Sequence, residues 1–444
     1  MKKIYRKKHQ VLVGGLWMNR IKDVDILLEK AILVGVNLRN DEHFDYSVEE
    51  LKNLAEALNV EVVGVITQNL ERITPSHYVG TGKIQEIKSF YDEANANLII
   101  FNDELSPSQI RNLERDLETK VIDRTMLILD IFGRRAKTRE SQLQVELAQL
   151  QYMLPRLVGL HASLSRQGGG TGGGFKNRGA GETKLELDRR KIEDQIAKIK
   201  KELEQVKEQR ETQRKQRRKN AVPVVSIVGY TNAGKSTIMN QLLAKIGQED
   251  HKQVFEKDML FATLETSVRQ IELPDRKNFL LTDTVGFVSK LPHHLVKAFR
   301  STLEEARDAD LLLHVVDVSN AEHGFMMQVT NETLKAVGVE GIPTIYVYNK
   351  ADLANVPYPV VSGDNIWISA KQGVGLEELL QLIRQHIFAN YVTCKMLIPY
   401  EQGNIVSYLN EHASVYDTEY EENGTLLTLE VKEADYTKYE GYVI

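Results

Sequence analysis

Residues 223–238 read PVVSIVGYTNAGKSTI. Val222 to Val228 is a β-type apolar run, Thr237 to Ala244 is compatible with a helix, and between them lies Gly229-Tyr230-Thr231-Asn232-Ala233-Gly234-Lys235-Ser236. Strand, glycine-bounded loop and helix, in that order, form the GxxxxGK[ST] phosphate loop, whose glycines let successive backbone N–H groups wrap a polyphosphate. Lys235 is expected to reach the β and γ oxygens and Ser236 to ligate Mg²⁺, with Thr237 next in the binding set. A loop of this kind sits at the end of a parallel strand, so the fold class it predicts is α/β.

Three later segments complete the pattern. Phe279 to Leu281 is an apolar strand that runs into Asp283-Thr284-Val285-Gly286, where Asp283 can meet Mg²⁺ through water and the Gly286 N–H can touch a γ-phosphate. Phe261-Ala262-Thr263-Leu264 lies between the two elements, and Thr263 can close on the metal when the γ-phosphate is present. Asn349-Lys350-Ala351-Asp352 follows the strand Thr344 to Tyr348. A carboxylate at Asp352 accepts from the two adjacent donors of guanine, which adenine does not offer, so GTP and GDP are favoured over adenine nucleotides. Ser369-Ala370-Lys371 ends a further strand and is expected to direct the Ala370 N–H at guanine O6. The catalytic set is therefore Lys235, Thr263 and Gly286, and the metal set Ser236, Thr263 and Asp283.

Phe287 follows Gly286 where many small GTPases carry a water-orienting glutamine. Intrinsic hydrolysis is expected to be slow, with a partner completing the site. Asn232 in the phosphate loop resembles GTPases that use K⁺ as an additional positive charge.

Before the phosphate loop, Leu143, Leu147, Leu150, Leu154 and Leu157, and then Ile192, Ile196, Ile199, Leu203 and Val206, recur at steps of three and four. They flank SRQGGGTGGGFKNRGAGE, whose glycines exclude a regular helix. The pattern predicts a long helical hairpin with a glycine-rich tip, and Pro155 should kink or end its first arm. Arg166, Lys176 and Arg178 give the tip a basic character suited to close approach to RNA phosphates, and the separate basic run Arg210 to Lys219, just before the nucleotide domain, reads either as a further RNA contact or as a solvated helix end.

Nearer the start, apolar runs (Ala31 to Leu38, Val60 to Thr67, Asn97 to Phe101) alternate with amphipathic stretches (Val48 to Leu58, Ile84 to Ala94, Ser106 to Leu117). This predicts a small parallel α/β domain in which Ser47 and Glu50 cap the first helix. Gly80-Thr81-Gly82-Lys83 opens a helix whose N-terminus could hold an anion, but so short a pattern reads first as a plain turn and cap. After Tyr391, Gly403 to His412 reads as helix and Thr425 to Val431 as strand, a small α/β appendage. The expected division is residues 1–137 (N-terminal α/β domain), 138–220 (hairpin, glycine loop 167–182), 221–390 (P-loop GTPase domain) and 391–444 (C-terminal appendage).

The 444 residues exceed a single core at roughly 150 residues per domain. A net charge of −5 excludes a surface that is basic throughout, and Cys394 alone allows neither an intrachain disulfide nor a cysteine zinc cluster. No apolar run reaches the roughly 20 residues needed to span a bilayer, and the basic start lacks a secretory signal's apolar core. A cytoplasmic protein, monomeric when free, is expected.

The segments Arg166-Gln167-Gly168-Gly169-Gly170 and Arg178-Gly179-Ala180-Gly181-Glu182-Thr183-Lys184-Leu185-Glu186-Leu187-Asp188-Arg189-Arg190, with Phe261 to Leu264 and Asp283 to Phe287, resemble the HflX family of translation-factor GTPases, in the Obg-HflX-like superfamily. Members often have a proline where this chain has Ala180. The resemblance covers nearly the whole chain. It implies a GTPase that binds the large ribosomal subunit, reaches ribosomal RNA near the peptidyl-transferase centre with the hairpin tip, and in the GTP state splits stalled or hibernating ribosomes into subunits. Two other readings stay open: a GTPase that assists large-subunit assembly, and a nucleotide-dependent RNA-remodelling enzyme that uses the N-terminal domain with ATP.

Overall fold

The computed structural model describes residues 29–167, 178–219, 222–246, 261, 266–273, 277–292, 295 and 305–444. The chain is mixed α/β and divides into two compact units. One comprises Met1–Gln213 with Ser289–Phe299, and the other Arg214–Val288 with Arg300–Ile444.

In the first unit, strands β1 (Lys30–Leu38), β2 (Glu61–Leu70), β3 (Leu98–Phe101) and β4 (Val121–Asp123) form a parallel sheet in the order β2-β1-β3-β4. Its helices are α1 (Phe44–Glu56), α2 (Thr81–Glu93), α3 (Pro107–Leu117) and α4 (Arg124–Arg135). The core strand reads as a continuous apolar run because it is buried on both faces, with Ala31, Ile32, Leu33 and Val34 at most 1% exposed. Helix α3 begins at a capping box: the Gln109 N–H donates to Ser106 Oγ, the Ser106 N–H donates to Gln109 Oε1, and Pro107 occupies the first turn.

The expected cap at Ser47 is not one. Helix α1 starts at Phe44, three residues earlier, and Ser47 and Glu50 lie buried inside it. The SxxE spacing is shared by a capping box and by two residues on one helix face, and here it is the second. Arg124, 1% exposed, ion-pairs with Glu50 and donates to the Ser47 carbonyl (3.2 Å), Asn102 Oδ1 (3.0 Å) and Ser289 Oγ (3.1 Å). Ser289 donates to Glu50 (2.5 Å), and Asn102 Nδ2 donates to Ser47 Oγ (2.9 Å). This network fills the carboxyl edge of the sheet between β1 and β3, where the strand order reverses and open α/β sheets ordinarily receive ligands. The start of α2 agrees with a plain turn: the Gly80 N–H donates to Gln68 Oε1 at 3.1 Å.

Helices α5 (Arg139–Gln167) and α6 (Arg178–Lys219) form the hairpin. Arg139 pairs with Glu202 at 2.7 Å, and Gln195 donates to Glu146 at 2.5 Å. Both contacts are symmetric about the Gly170-Thr171 junction, so the arms are antiparallel, as a hairpin requires. Of the expected glycine loop 167–182, residues 168–177 lie outside the described residues, whereas Gln167 ends α5 and residues 178–182 already belong to α6, so that Gly179 and Gly181 are helical, against the expectation. Ile196 and Ile199 are buried while Lys198, Lys200 and Lys201 are exposed, so the α6 stripe is the packing face. Pro155 does not end α5, which runs through it to Gln167. Beside it Arg156 donates to the Leu105 carbonyl (2.8 Å), approaches Asp123 (3.5 Å) and lies 3.3 Å from the Tyr152 ring centroid. The arm is thus fastened to the sheet, and tertiary contacts offset the single backbone bond that proline removes.

The second unit holds β5 (Val224–Gly229), α7 (Lys235–Lys245), β6 (Ser267–Glu272), β7 (Asn278–Asp283), β8 (Leu311–Asp317), α8 (His323–Ala336), β9 (Thr344–Asn349), β10 (Val360–Ser362), β11 (Asn365–Trp367) and α9 (Leu376–Ile387). Its seven strands run β10-β11-β9-β8-β5-β7-β6, parallel except for β6 and β10. A three-stranded antiparallel sheet follows, β12 (Tyr391–Ile398), β14 (Gly424–Lys432) and β13 (Ser414–Glu421), with helices α10 (Gly403–His412) and α11 (Glu433–Lys438). No helix among the described residues is long and apolar enough to cross a membrane.

Removing one partner of the Arg124–Glu50 pair strands a buried charge. Arg124→Met should destabilise the first unit by about 3–5 kcal/mol, read as lost hydrogen-exchange protection in β3, whereas Arg124→Met combined with Glu50→Leu should recover most of it.

Candidate nucleotide site

The parallel strands β5, β7 and β9 end at one edge of the sheet, and each delivers a predicted motif there. β5 ends at Gly229 and opens the phosphate loop, which turns at Asn232 (φ 60°) and Gly234 (φ +95°) before α7 starts at Lys235. Only glycine fits position 234. A Cβ there would lie 2.2 Å from Asn349 Nδ2, in a backbone conformation that L residues rarely adopt. Lys235 is buried, and its Nζ donates to the Gly229 (3.1 Å) and Tyr230 (2.8 Å) carbonyls, so its charge lies inside the curl of the loop. Burial pushes its pKa down to about 8 against the opposing pull of Asp283.

β7 ends at Asp283, whose Oδ2 accepts from Ser236 Oγ at 2.6 Å. Two oxygen donors of the predicted metal set thus meet at one point, a hard oxygen site of the kind Mg²⁺ takes. Thr263, the third, lies outside the described residues, as do Ala262 and Leu264. Phe261 is described: its N–H donates to Thr231 Oγ1 at 3.0 Å. Thr284 is buried and donates through Oγ1 to the Ile227 carbonyl at 2.7 Å, with Val285 buried beside it. Gly286 packs so closely on the phosphate loop that a Cβ would meet Thr231 Cα at 2.7 Å and Lys235 Nζ at 3.0 Å.

Phe287 carries no polar group that could orient a water. It is 3% exposed, and its backbone is joined to the loop by Thr231 N to Phe287 O (2.8 Å) and Phe287 N to Gly229 O (3.2 Å).

β9 ends at Asn349, which bridges two loops: its Nδ2 donates to the Ala233 carbonyl (2.9 Å) and its Oδ1 accepts from the Ala370 N–H (3.0 Å). The Ala370 N–H is thus engaged by Asn349 in this structure, so donation to guanine O6 requires it to be shared. Lys350, at φ 63°, reaches Asp317 at 2.8 Å. Asp352 lies half-buried in the short turn Ala351–Leu353, and Ser369 is buried while Lys371 is exposed.

Two residues here escaped the reading of the sequence. Asp317 is the cross-strand neighbour of Asn349 and orients Lys350; its position at the end of an apolar strand was a legible signal. His314, buried on β8, is held neutral by burial and by the Lys235 charge, which together push its pKa down to about 4. Nothing in the linear pattern marks it.

Comparison with known proteins gives consistent results along the chain. Residues 45–133 match the family described as GTP-binding GTPase N-terminal, 135–217 the GTP-binding GTPase middle region, 224–350 the 50S ribosome-binding GTPase and 360–440 the HflX C-terminal domain. The chain is 44% identical over 429 residues to GTPase HflX of Caldanaerobacter subterraneus subsp. tengcongensis, covering 96% of each. It is 39% identical to GTPase HflX of Escherichia coli strain K12, over 90% of this chain and 92% of the other. Among solved structures, a GTP-binding protein from Sulfolobus solfataricus in complex with GDP aligns at 26% identity and a TM-score of 0.42, covering 81% of this chain and 99% of that one.

Two predictions follow from the geometry. Nucleotide-free Lys235 loses its proton as pH rises through about 8, whereas bound phosphate holds that proton on. GDP affinity should therefore weaken between about pH 7 and about pH 9, with proton uptake on binding seen as a buffer-dependent enthalpy. Asp352→Asn replaces an acceptor by a donor, and competition binding should show GDP affinity falling by about 100-fold while xanthine nucleotides, which carry a carbonyl in place of the amine, gain.

Proposed function

Since the chain belongs to the HflX family of GTPases, we propose that it acts on the ribosome: it binds the large subunit and its RNA and, in the GTP state, separates stalled or hibernating ribosomes into subunits. The observation that carries the nucleotide half of this reading is the convergence of Lys235, Ser236, Asp283, Gly286 and Asn349 on one edge of one sheet. In this reading the phosphate loop N–H groups and Lys235 hold the polyphosphate, Asn349 fixes the base loops, and Asp352 selects guanine. Mg²⁺, held by Ser236, Asp283 through water and Thr263, would neutralise charge on the β and γ oxygens. K⁺ beside Asn232 is a further cation on the same reasoning.

Hydrolysis then needs help, because the buried Phe287 offers no polar group to orient the attacking water. A ribosomal component that orders the loops around the γ-phosphate would supply it, so that binding and release become coupled to the nucleotide. The hairpin supports the ribosomal half: two antiparallel helices, the second rich in lysine and arginine, carry a glycine-rich basic loop far along the chain from the nucleotide. The division into an N-terminal domain, hairpin, GTPase domain and C-terminal appendage, and the cytoplasmic address, belong to the same reading.

The RNA-remodelling alternative is less favoured. The crevice at which a four-stranded parallel sheet would take a nucleotide is filled by Arg124, Glu50, Asn102 and Ser289.

GTP hydrolysis should rise by at least about tenfold when purified large subunits are added, and whole ribosomes incubated with a non-hydrolysable GTP analogue should sediment as subunits. Stimulation without separation would favour the assembly role; no stimulation would remove the ribosomal reading and leave the GTPase.

A further inference from the structure

Strands β6 and β7 form one hairpin with unbroken pairing from Ser267↔Asp283 to Glu272↔Asn278. From its open end Asp283 to Gly286, read above as sensing the γ-phosphate, follow on from β7. Among the described residues β6 is the edge of the seven-stranded sheet and pairs only with β7.

The closed end of this hairpin is fastened to the C-terminal domain. Lys277, one residue before β7, is 7% exposed, and its Nζ lies 2.6 Å from the Glu430 carboxylate on β14. The same ammonium sits 4.9 Å from the Phe388 ring centroid and 5.3 Å from that of Tyr391. Those rings meet edge to face, 5.2 Å apart, at the passage from α9 to β12. Glu430 also accepts from the Tyr416 hydroxyl at 2.5 Å, on β13, and the Lys277 carbonyl accepts from the Leu273 N–H at 2.8 Å, closing the hairpin.

A buried ammonium costs several kcal/mol unless its surroundings are fixed, so this contact is sensitive to small displacements. An apolar residue at 277 would pack on Phe388 and Tyr391 without that demand. A charge here makes the position of the C-terminal sheet depend on the position of the hairpin, and the reverse.

We propose that Lys277 is a positioning residue that links the docking of the C-terminal domain to the GTP-or-GDP state of the site, through the β6–β7 hairpin. This rests on the reading of Asp283 to Gly286 as a γ-phosphate sensor.

The test uses the full chain with Lys277→Met, Glu430→Gln and the conservative Lys277→Arg. Affinities for GDP and for a non-hydrolysable GTP analogue are measured, with hydrogen exchange followed in β6–β7 and in β12–β14. The ratio of the two affinities is expected to change by about fivefold or more, in the same direction, in Lys277→Met and Glu430→Gln, and to return to within about twofold of the parent in Lys277→Arg. Exchange in β14 should differ between the two nucleotides in the parent and lose that difference in the first two variants. An unchanged ratio, with β12–β14 loosened equally in both states, would make Lys277 a mere anchor and overturn the proposal. Identical β6–β7 exchange with the two nucleotides in the parent protein would instead overturn the sensor reading on which it rests.

Discussion

The side chain of Asn349 is the contact on which the nucleotide site depends. It is 3% exposed and holds the phosphate loop through the Ala233 carbonyl and the last base loop through the Ala370 N–H. Both arms are hydrogen bonds in a buried setting, where an unmade bond costs the full desolvation of the group left behind. That geometry also explains Gly234: the amide occupies the volume where any side chain would begin. The phosphate loop, 116 residues from Asn349, and the loop at Ala370, 21 residues from it, are thereby joined through one side chain.

Around this fixed centre the charges are arranged to be used. Lys235 is buried with its ammonium turned onto the carbonyls of its own loop, a position that lowers its pKa and that a phosphate would relieve. Ser236 and Asp283 already touch. The backbone of Phe287 is sewn to Gly229 and Thr231, so movement of the segment that carries Gly286 must be felt by the phosphate loop directly. The first unit solves a different problem with similar means. Arg124 spends its hydrogen bonds on Glu50, Ser47, Asn102 and Ser289, and a crevice that would otherwise be available to a ligand becomes part of the core.

Much of this was legible before any coordinates. The order strand, loop, helix around Gly229 to Ser236, the strand-end positions of Asp283 and Asn349, and the isoleucine stripe of α6 all appear where periodicity and spacing put them, because each depends on residues close in sequence. The errors share a cause. Ser47 and Glu50 satisfied a local spacing rule, yet their partner is Arg124, 74 residues from Glu50. Pro155 obeys a local rule against helix interiors, but Arg156 ties that turn of α5 to Leu105, 51 residues away. In the same way α5 was read as having one apolar stripe, whereas Val145, Ala148 and Tyr152 are buried on a second face.

The sequence by itself determined the chemistry: which residues could hold phosphate, metal and guanine, and that the chain belongs among GTPases, since these follow from residue type at fixed short spacing. Tertiary structure alone decided how those residues are held. The bridging role of Asn349, the lowered pKa of Lys235, the pairing of Lys350 with Asp317, and the burial of Lys277 against Glu430 each require a partner brought close by folding. Short-range spacing is written in the chain, but electrostatics and desolvation depend on distances that exist only once the sheet has formed.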